Sequence, residues 1–230
     1  MAKILKIYNF VMDMHNVLYI HGMGGGGDSR IPSILSEVFS ECGPDSPVCR
    51  IVVRTYSFDP EEASRQIAGW VEELKPGLVI GESLGALHAL KVKGIPHLFV
   101  SPALNAPIYF EILAWLSLLP GVTAFFDRLY MPKEGDRQPL HFTFRTLRKY
   151  RRHRREALRA YADDGGINVF FAFFGRHDHY RRSGVVSIRA WRRIFGADSF
   201  LIYDGTHFME DDFVRTMLAD KIREFFQGRP

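Results

Sequence analysis

The stretch GESLG, residues 81–85, decides how this chain can fold. It follows the apolar run 78–80 (LVI) and precedes residues 86–92 (ALHALKV), which have the composition of a helix. A serine between two glycines at a strand-to-helix turn lies on a tight, strained bend, and side chains two residues away on either side would collide. The pattern therefore predicts that Ser83 is an exposed nucleophile at the carboxyl end of a strand.

Further strands and helices alternate on both sides of this motif. Asp59 and Pro60 predict a helix start between the second and third strands, and the apolar residues that follow recur at helical spacing. This order predicts an α/β fold, a mostly parallel sheet flanked by helices on both faces, with room for about one strand before residue 17, at 4–10. The predicted strands are 17–20, 50–56, 78–80, 97–100, 168–174 and 200–203.

One region interrupts the alternation. Residues 104–166 contain no convincing strand, so we expect a single domain, 1–230, with a helical cap inserted at about 104–166. The apolar stretch 108–126 contains Glu111, Ser117 and a Pro120-Gly121 break, which leave no membrane span of roughly 20 residues. We interpret this stretch as the core of the cap rather than as a lipid contact.

A serine nucleophile needs a base and a carboxylate, and the loops after the last two strands supply candidates. Asp178 follows the strand 168–174, and His207 follows the strand 200–203. Parallel strands present such side chains at one edge of the sheet. Asp178 is favoured as the carboxylate, because Asp204 is too close to His207 in sequence and residues 163–164 (DD) precede their strand.

These motifs together resemble the α/β-hydrolase superfamily, in particular its small serine esterases. They are HGMGG at 21–25, GESLGA at 81–86, GRHD at 175–178 and GTHF at 205–208. The resemblance implies Ser83 as nucleophile, His207 as general base and Asp178 as the carboxylate that orients it. It further implies an oxyanion hole from the backbone N–H groups of Met23 and Leu84, a supporting set of residues, and no cofactor or metal. The supporting residues are His21, Gly22, Gly24, Gly81 and Gly85.

The resemblance predicts cleavage of a carboxylic ester-like bond in a small-molecule substrate. Thioester or amide cleavage and acyl transfer use the same groups and stay open as alternatives. A non-catalytic protein that binds a ligand or a partner is a further alternative. Retention of the serine, the histidine and the aspartate argues against it, since a binding protein has no need for all three.

The glycine-rich loop at 22–27 allows another interpretation. Gly22, Gly24 and Gly27 match the spacing of a dinucleotide-binding turn. In such a turn the helix begins within the glycines, whereas the first good helix start here is Ser29, after the glycines end. Asp28 stands where a phosphate-binding Walker loop needs lysine. An oxyanion-binding loop is therefore the favoured interpretation.

Charge and residue usage narrow the remaining possibilities. The formal net charge is only +4, but residues 145–159 concentrate arginine and lysine. We interpret this basic segment as a solvated surface; an anionic substrate or a membrane surface is an alternative, and nucleic acid is not expected because no nucleic-acid-binding motif accompanies the charge. The segment His177-Asp178-His179 lacks a third metal ligand at recognisable spacing, so we expect its histidines at the rim of the pocket.

The start of the chain and its cysteines bear on location. Residues 1–16 lack the order of a signal peptide, and Cys42 and Cys49 are expected to be thiols in a reducing compartment. These features predict a cytoplasmic protein. They leave the oligomeric state open.

Overall fold

A computed structural model describes residues 14–41, 49–132, 134–162 and 169–227. Its sheet has six strands in the order β2-β1-β3-β4-β5-β6, and every neighbouring pair is parallel. This arrangement confirms the predicted fold class. The strands are β1 (His15–Ile20), β2 (Cys49–Val53), β3 (Leu78–Glu82), β4 (His97–Val100), β5 (Phe170–Gly175) and β6 (Phe200–Tyr203).

Helices cover both faces of the sheet, and each face has its own buried apolar cluster. The helix α1 (Arg30–Ser40) packs on one face together with the C-terminal helical segments α9 (Asp211–Phe213), a π-helical turn (Val214–Leu218) and α10 (Ala219–Gln227). The remaining helices belong to the other face or to the insertion. They are α2 (Pro60–Leu74), α3 (Gly85–Ala89), α4 (Ala106–Leu116), α5 (Val122–Leu129), α6 (Phe144–Ala162), α7 (Tyr180–Ser183) and α8 (Ile188–Phe195).

Local chemistry accounts for where these elements begin and end. The Asp59 side chain accepts hydrogen bonds from the N–H groups of Glu61 and Glu62, which caps the start of α2. Strand β2 ends at Val53, three residues earlier than predicted, because Thr55 and Tyr56 turn away to bond the loop after β1. The predicted strand at 4–10, Cys42 and residues 163–164 lie outside the described residues.

The insertion between β4 and β5 consists of two structurally different parts. Helix α6 buries Leu147, Tyr150 and Ala157 and packs against α2 and α3, so it completes a layer of the sheet. Helix α4 packs against α6 and lines the cavity beside Ser83 with Ala106, Tyr109 and Phe110, and α5 follows it along the chain. The expectation of a cap core holds for the inner face of α4, where Phe110 is buried, and only in part for α5, which has no fully buried residue but packs Phe126 against the core.

Within the described ranges, no helix combines the length and the apolar character that crossing a membrane would require.

Candidate active site

Ser83 lies on the sharp turn between β3 and α3. Its φ is 48°, in the left-handed region that a non-glycine residue adopts only under constraint. A Cβ at Gly85 would lie 2.3 Å from the His21 carbonyl oxygen, and one at Gly81 would lie 2.9 Å from Ala86 Cα. Both positions therefore require glycine, because any side chain there would push the turn away from β1 or α3.

His207 and Asp178 lie within hydrogen-bond distance of each other and of this serine. His207 Nε2 is 3.0 Å from Ser83 Oγ, and His207 Nδ1 donates to Asp178 Oδ2 at 2.8 Å. The other carboxylate oxygen of Asp178 accepts a hydrogen bond from the Tyr180 N–H at 2.8 Å. His207 and Asp178 are both buried. The carboxylate thus holds the imidazole in the tautomer whose Nε2 can accept the Ser83 proton.

The neighbouring charged residues do not take part in this chain of hydrogen bonds. Asp204 lies 3.0 Å from His177 Nε2, and both side chains are largely exposed. His177 and His179 do not line the pocket, so the expectation that they would rim it is wrong; Tyr180 occupies that place. No group of three metal-binding side chains occurs among the described residues.

The glycine-rich loop after β1 passes directly beside Ser83. A Cβ at Gly22 would lie 3.1 Å from Ser83 Cβ. Four consecutive N–H groups of this loop donate to acceptors within the protein: Gly24 to Gln138 Oε1, Gly25 to the Gly22 carbonyl, Gly26 to Ser29 Oγ and Gly27 to Thr55 Oγ1. The loop therefore has no row of open N–H groups to cradle a pyrophosphate, which argues against the dinucleotide alternative.

Two N–H groups beside Ser83 differ from those of the glycines. Those of Met23 and Leu84 have no acceptor within the described ranges, and both residues line the cavity next to Ser83. Leu84 directly follows the serine, and Met23 lies one residue beyond the point where the β1 loop approaches Ser83 most closely. A pair of open N–H groups on either side of a serine can bind a negatively charged oxygen.

His21 is buried behind this loop and does not reach the cavity. Its Nδ1 donates to the Gly22 carbonyl at 2.7 Å, and its ring stacks on Tyr56 with centroids 4.2 Å apart. Burial lowers the pKa of His21 to about 4, so the ring is neutral near pH 7. Its position fits a structural role in holding the turn.

The cavity beside Ser83 has a volume of about 440 Å³. Apolar side chains of α4 and of the loops around α7 and His207 form much of its wall, among them Phe110, Val185 and Phe208. Polar groups come from Arg30, Glu82 and Arg137. A mainly apolar cavity with a few polar groups is typical of a site for a small organic ligand.

Solved structures resemble this chain over nearly its whole length. One, from a study of the metagenome-derived lipolytic enzymes LipS and LipT, has a TM-score of 0.58 and 12% identity, over 94% of each chain. Est1E from Butyrivibrio proteoclasticus, solved with ferulic acid, has a TM-score of 0.57 and 16% identity, over 93% of this chain and 88% of its own. The chain has the α/β-hydrolase fold. No protein-family model and no curated protein sequence matches it.

A third solved structure extends the range of proteins with this α/β-hydrolase fold. The thioesterase domain from the curacin biosynthetic pathway has a TM-score of 0.55 and 14% identity, over 94% of this chain and 91% of that domain. Identities this low establish the fold alone. The roles of the individual residues therefore rest on the geometry of the site.

Two residues that make hydrogen bonds at the site, Gln138 and Tyr19, are not indicated by any sequence motif. Gln138, in the link between α5 and α6, is buried; besides its bond from Gly24 it donates to the Tyr56 carbonyl at 3.0 Å, and its N–H donates to Gly25 at 2.7 Å. Tyr19 donates to Glu82 at 2.8 Å, and burial raises the pKa of this tyrosine. The hydrogen-bond partners of Gln138 and Tyr19 are far away in sequence, so no short sequence motif marks either residue.

Proposed function

We propose that the protein is a serine hydrolase that cleaves carboxylic ester-like bonds through Ser83, His207 and Asp178. The observation that carries the proposal is the continuous hydrogen-bonded row from Ser83 Oγ through the His207 ring to Asp178, at 3.0 Å and 2.8 Å, beside an apolar cavity. Such a row activates a hydroxyl that is otherwise a weak nucleophile.

In the first half of the proposed reaction, Ser83 Oγ attacks the carbonyl carbon of the ester while His207 Nε2 takes the serine proton. The carbonyl oxygen becomes negatively charged and accepts hydrogen bonds from the N–H groups of Met23 and Leu84. The tetrahedral intermediate then collapses. The carbon–oxygen bond to the alcohol breaks, His207 returns the proton to the leaving oxygen, and the acyl group stays on Ser83.

In the second half, water replaces the alcohol. His207 removes a proton from water as its oxygen attacks the acyl carbon, and the same N–H groups bind the second oxyanion. Collapse releases the carboxylic acid and returns the proton to Ser83. The apolar walls of the cavity favour acyl or aromatic substituents on the substrate. No step requires a cofactor or a metal ion.

Other features of the protein stay predictions from the sequence alone. These predictions are a cytoplasmic location and the absence of a nucleic-acid partner.

Thioester substrates are the nearest alternative to esters, since the same groups act on them without rearrangement.

Covalent labelling with a fluorophosphonate probe tests the proposal. The native protein should label, Ser83→Ala should not, and His207→Ala should label far more slowly, because the probe reacts with an activated serine. Turnover of a panel of short and aromatic esters should fall by roughly 10⁴-fold or more in Ser83→Ala.

Ser101→Ala is a matched control, since Ser101 is buried after β4 and has a φ of 46°, close to that of Ser83. It should label like the native protein. Labelling that persists in Ser83→Ala, or a folded native protein that neither labels nor hydrolyses any ester or thioester of the panel, would refute the proposal.

A further inference from the structure

Large apolar side chains are concentrated on the outside of α4 and α5. Of the eighteen large apolar residues that are exposed in the described part of the chain, eleven lie between residues 108 and 131. Ile112 is 65% exposed, Trp115 61% and Phe125 63%. Helix α5 has no fully buried residue; Phe126 packs partly against the core, whereas Phe125 and Leu129 are exposed. Clusters of this kind on a folded protein mark a surface that contacts something other than water.

This surface, which we call the apolar cap surface, is one continuous stretch of helical turns. The N–H of Leu118 donates to the Trp115 carbonyl, and that of Val122 donates to Leu119, so the end of α4 leads directly into α5. Its most exposed members are Ile112, Trp115, Leu118, Leu119, Phe125 and Leu129.

The apolar cap surface borders the mouth of the cavity on one side. Tyr109 lies on the same helix, between the exposed Ile108 and the buried Phe110, and both aromatic residues line the cavity. The Tyr109 hydroxyl donates to the Ser183 carbonyl, which ties α4 to α7 at this edge. A molecule that rests on the apolar cap surface therefore lies next to the entrance that leads to Ser83.

Arginines of α6 border the same surface on its other side. The Trp115 ring meets the Phe144 ring edge-on with centroids 5.3 Å apart, and the Arg148 guanidinium lies over Phe144. Residues 144, 148, 151 and 155 recur at helical spacing, so Arg148, Arg151 and Arg155 continue the row that starts at Phe144.

The charge along this row is not balanced within the protein. Glu111 of α4 pairs with both Arg148 and Arg151, so one carboxylate serves two guanidinium groups. Arg155 and Arg159 are exposed and have no ion pair in the described part of the chain. Helix α6 as a whole carries eight arginine and lysine residues against one glutamate.

We propose that α4, α5 and the exposed row of α6 form a docking surface for a membrane with anionic lipids. The apolar side chains enter the boundary between headgroups and acyl chains, and the arginines contact the lipid phosphates. Trp115, Tyr109 and Tyr130 are residues that prefer this boundary, since each combines an apolar ring with a polar group. Docking places the cavity entrance against the bilayer.

The charge distribution favours a lipid surface over a second copy of the chain. Two copies that met through this surface would bring two strongly basic α6 helices close together, and like charges disfavour that contact. Anionic lipids supply the opposite charge. The apolar and basic parts then contribute together, as in other proteins that lie on a membrane without spanning it.

Binding to vesicles tests the proposal. The full chain should sediment with phosphatidylcholine vesicles that contain phosphatidylglycerol, and its partition coefficient should fall as salt increases. The double variant Phe125→Ser/Leu129→Ser should lower this coefficient by about tenfold or more, because two inserted side chains are lost. Arg151→Gln/Arg155→Gln should lower it by about tenfold or more on the anionic vesicles, with little change on phosphatidylcholine alone.

Matched controls separate this surface from general effects of charge and hydrophobicity. Leu201→Ser, on the edge strand β6, and Arg192→Gln/Arg193→Gln, on α8, change exposed side chains elsewhere and should bind like the native protein. Ser83→Ala should also bind normally, so vesicle binding is read independently of catalysis.

Three results would overturn the proposal. The first is absence of binding to anionic vesicles by the native, folded protein. The second is equal binding by the native protein and both surface variants. The third is a dimer in sedimentation equilibrium that Phe125→Ser/Leu129→Ser converts to monomer without any vesicle binding, which would assign the surface to a second copy.

Discussion

The two walls of the cavity hold their side chains in different ways. On the sheet wall, Ser83, His207 and Asp178 are each fixed by a hydrogen bond or by a strained backbone angle. On the cap wall, α4 lines the cavity with Ala106, Tyr109 and Phe110, while its outer face and α5 expose apolar side chains to solvent. The position of each side chain on the sheet wall is therefore fixed by its partners. The exposed side chains of the outer cap have few partners within the protein and are suited to an external contact.

Apart from replacement of Ser83 itself, the largest expected effect on the sheet wall comes from Asp178→Asn. The Tyr180 N–H requires an acceptor at Oδ1, so the new amide places its NH₂ toward His207 Nδ1. Two donors then face each other, and the imidazole is stabilised in the tautomer whose Nε2 carries a proton and cannot accept one from Ser83. Ester turnover, measured as kcat/KM, should fall by about 10³ to 10⁴-fold.

Asp204→Asn is the control for this change. Asp204 is exposed and pairs with His177 rather than with His207, so its replacement should leave kcat/KM within about twofold of the native value. A strong loss in Asp204→Asn together with a native rate in Asp178→Asn would show that the wrong carboxylate has been assigned.

A smaller effect concerns three histidines buried behind the sheet wall. The His88 ring lies 4.4 Å from that of His153 and 5.1 Å from that of Tyr56, which stacks on His21. Burial lowers the pKa of His21 and His153 to about 4 and that of His88 well below its usual value. The unfolded chain therefore binds protons below about pH 6.5 that the folded protein does not take up until about pH 4.

The stability that depends on these neutral histidines is therefore present above about pH 6.5, and it is lost progressively as the pH falls toward 4. Between pH 7 and pH 5, His21 and His153 should each lower the free energy of unfolding by about 2 kcal/mol, and His88 should lower it further. Urea titrations at the two pH values measure this loss, which His88→Leu should reduce. Equal losses in the native protein and in His88→Leu would contradict the explanation.

The smallest effect belongs to the outside of the cap. Phe125→Ser/Leu129→Ser should change the free energy of unfolding by only about 0.5 kcal/mol or less, because neither side chain is buried. Phe110→Ala, on the inner face of α4, should cost about 3 kcal/mol or more, since it leaves a cavity. Comparable losses in both would show that the outer side chains pack within the protein and would remove the contrast between the walls.

The sheet wall was the more predictable of the two from the sequence. Strands 97–100 and 200–203 have the predicted bounds, because short apolar runs between turn residues have few alternatives in a parallel sheet. The GESLG turn was recognisable because part of its need for glycine is local: a Cβ at Gly81 would lie 2.9 Å from Ala86 Cα, five residues along the chain. Short-range rules of this kind can be applied without knowledge of the tertiary structure.

The cap was less predictable because the burial of each of its side chains depends on which other parts of the protein cover it. Residues 108–126 are apolar, and composition alone does not reveal whether the protein buries them; Phe110 is buried whereas Phe125 is exposed. Gln138 was missed for a related reason. Its partners at Gly24 and Tyr56 are remote in sequence, and an isolated glutamine in a loop has no local pattern.

Gln138 also bears on how this protein can be re-engineered. The insertion between β4 and β5 does more than cover the cavity, since its link holds the glycine-rich loop through Gly24 and Gly25. A chimera that receives the insertion of another protein would lose this brace, and the Met23 N–H would no longer be held beside Ser83. The insertion is therefore a fixed component of the candidate active site rather than an interchangeable module.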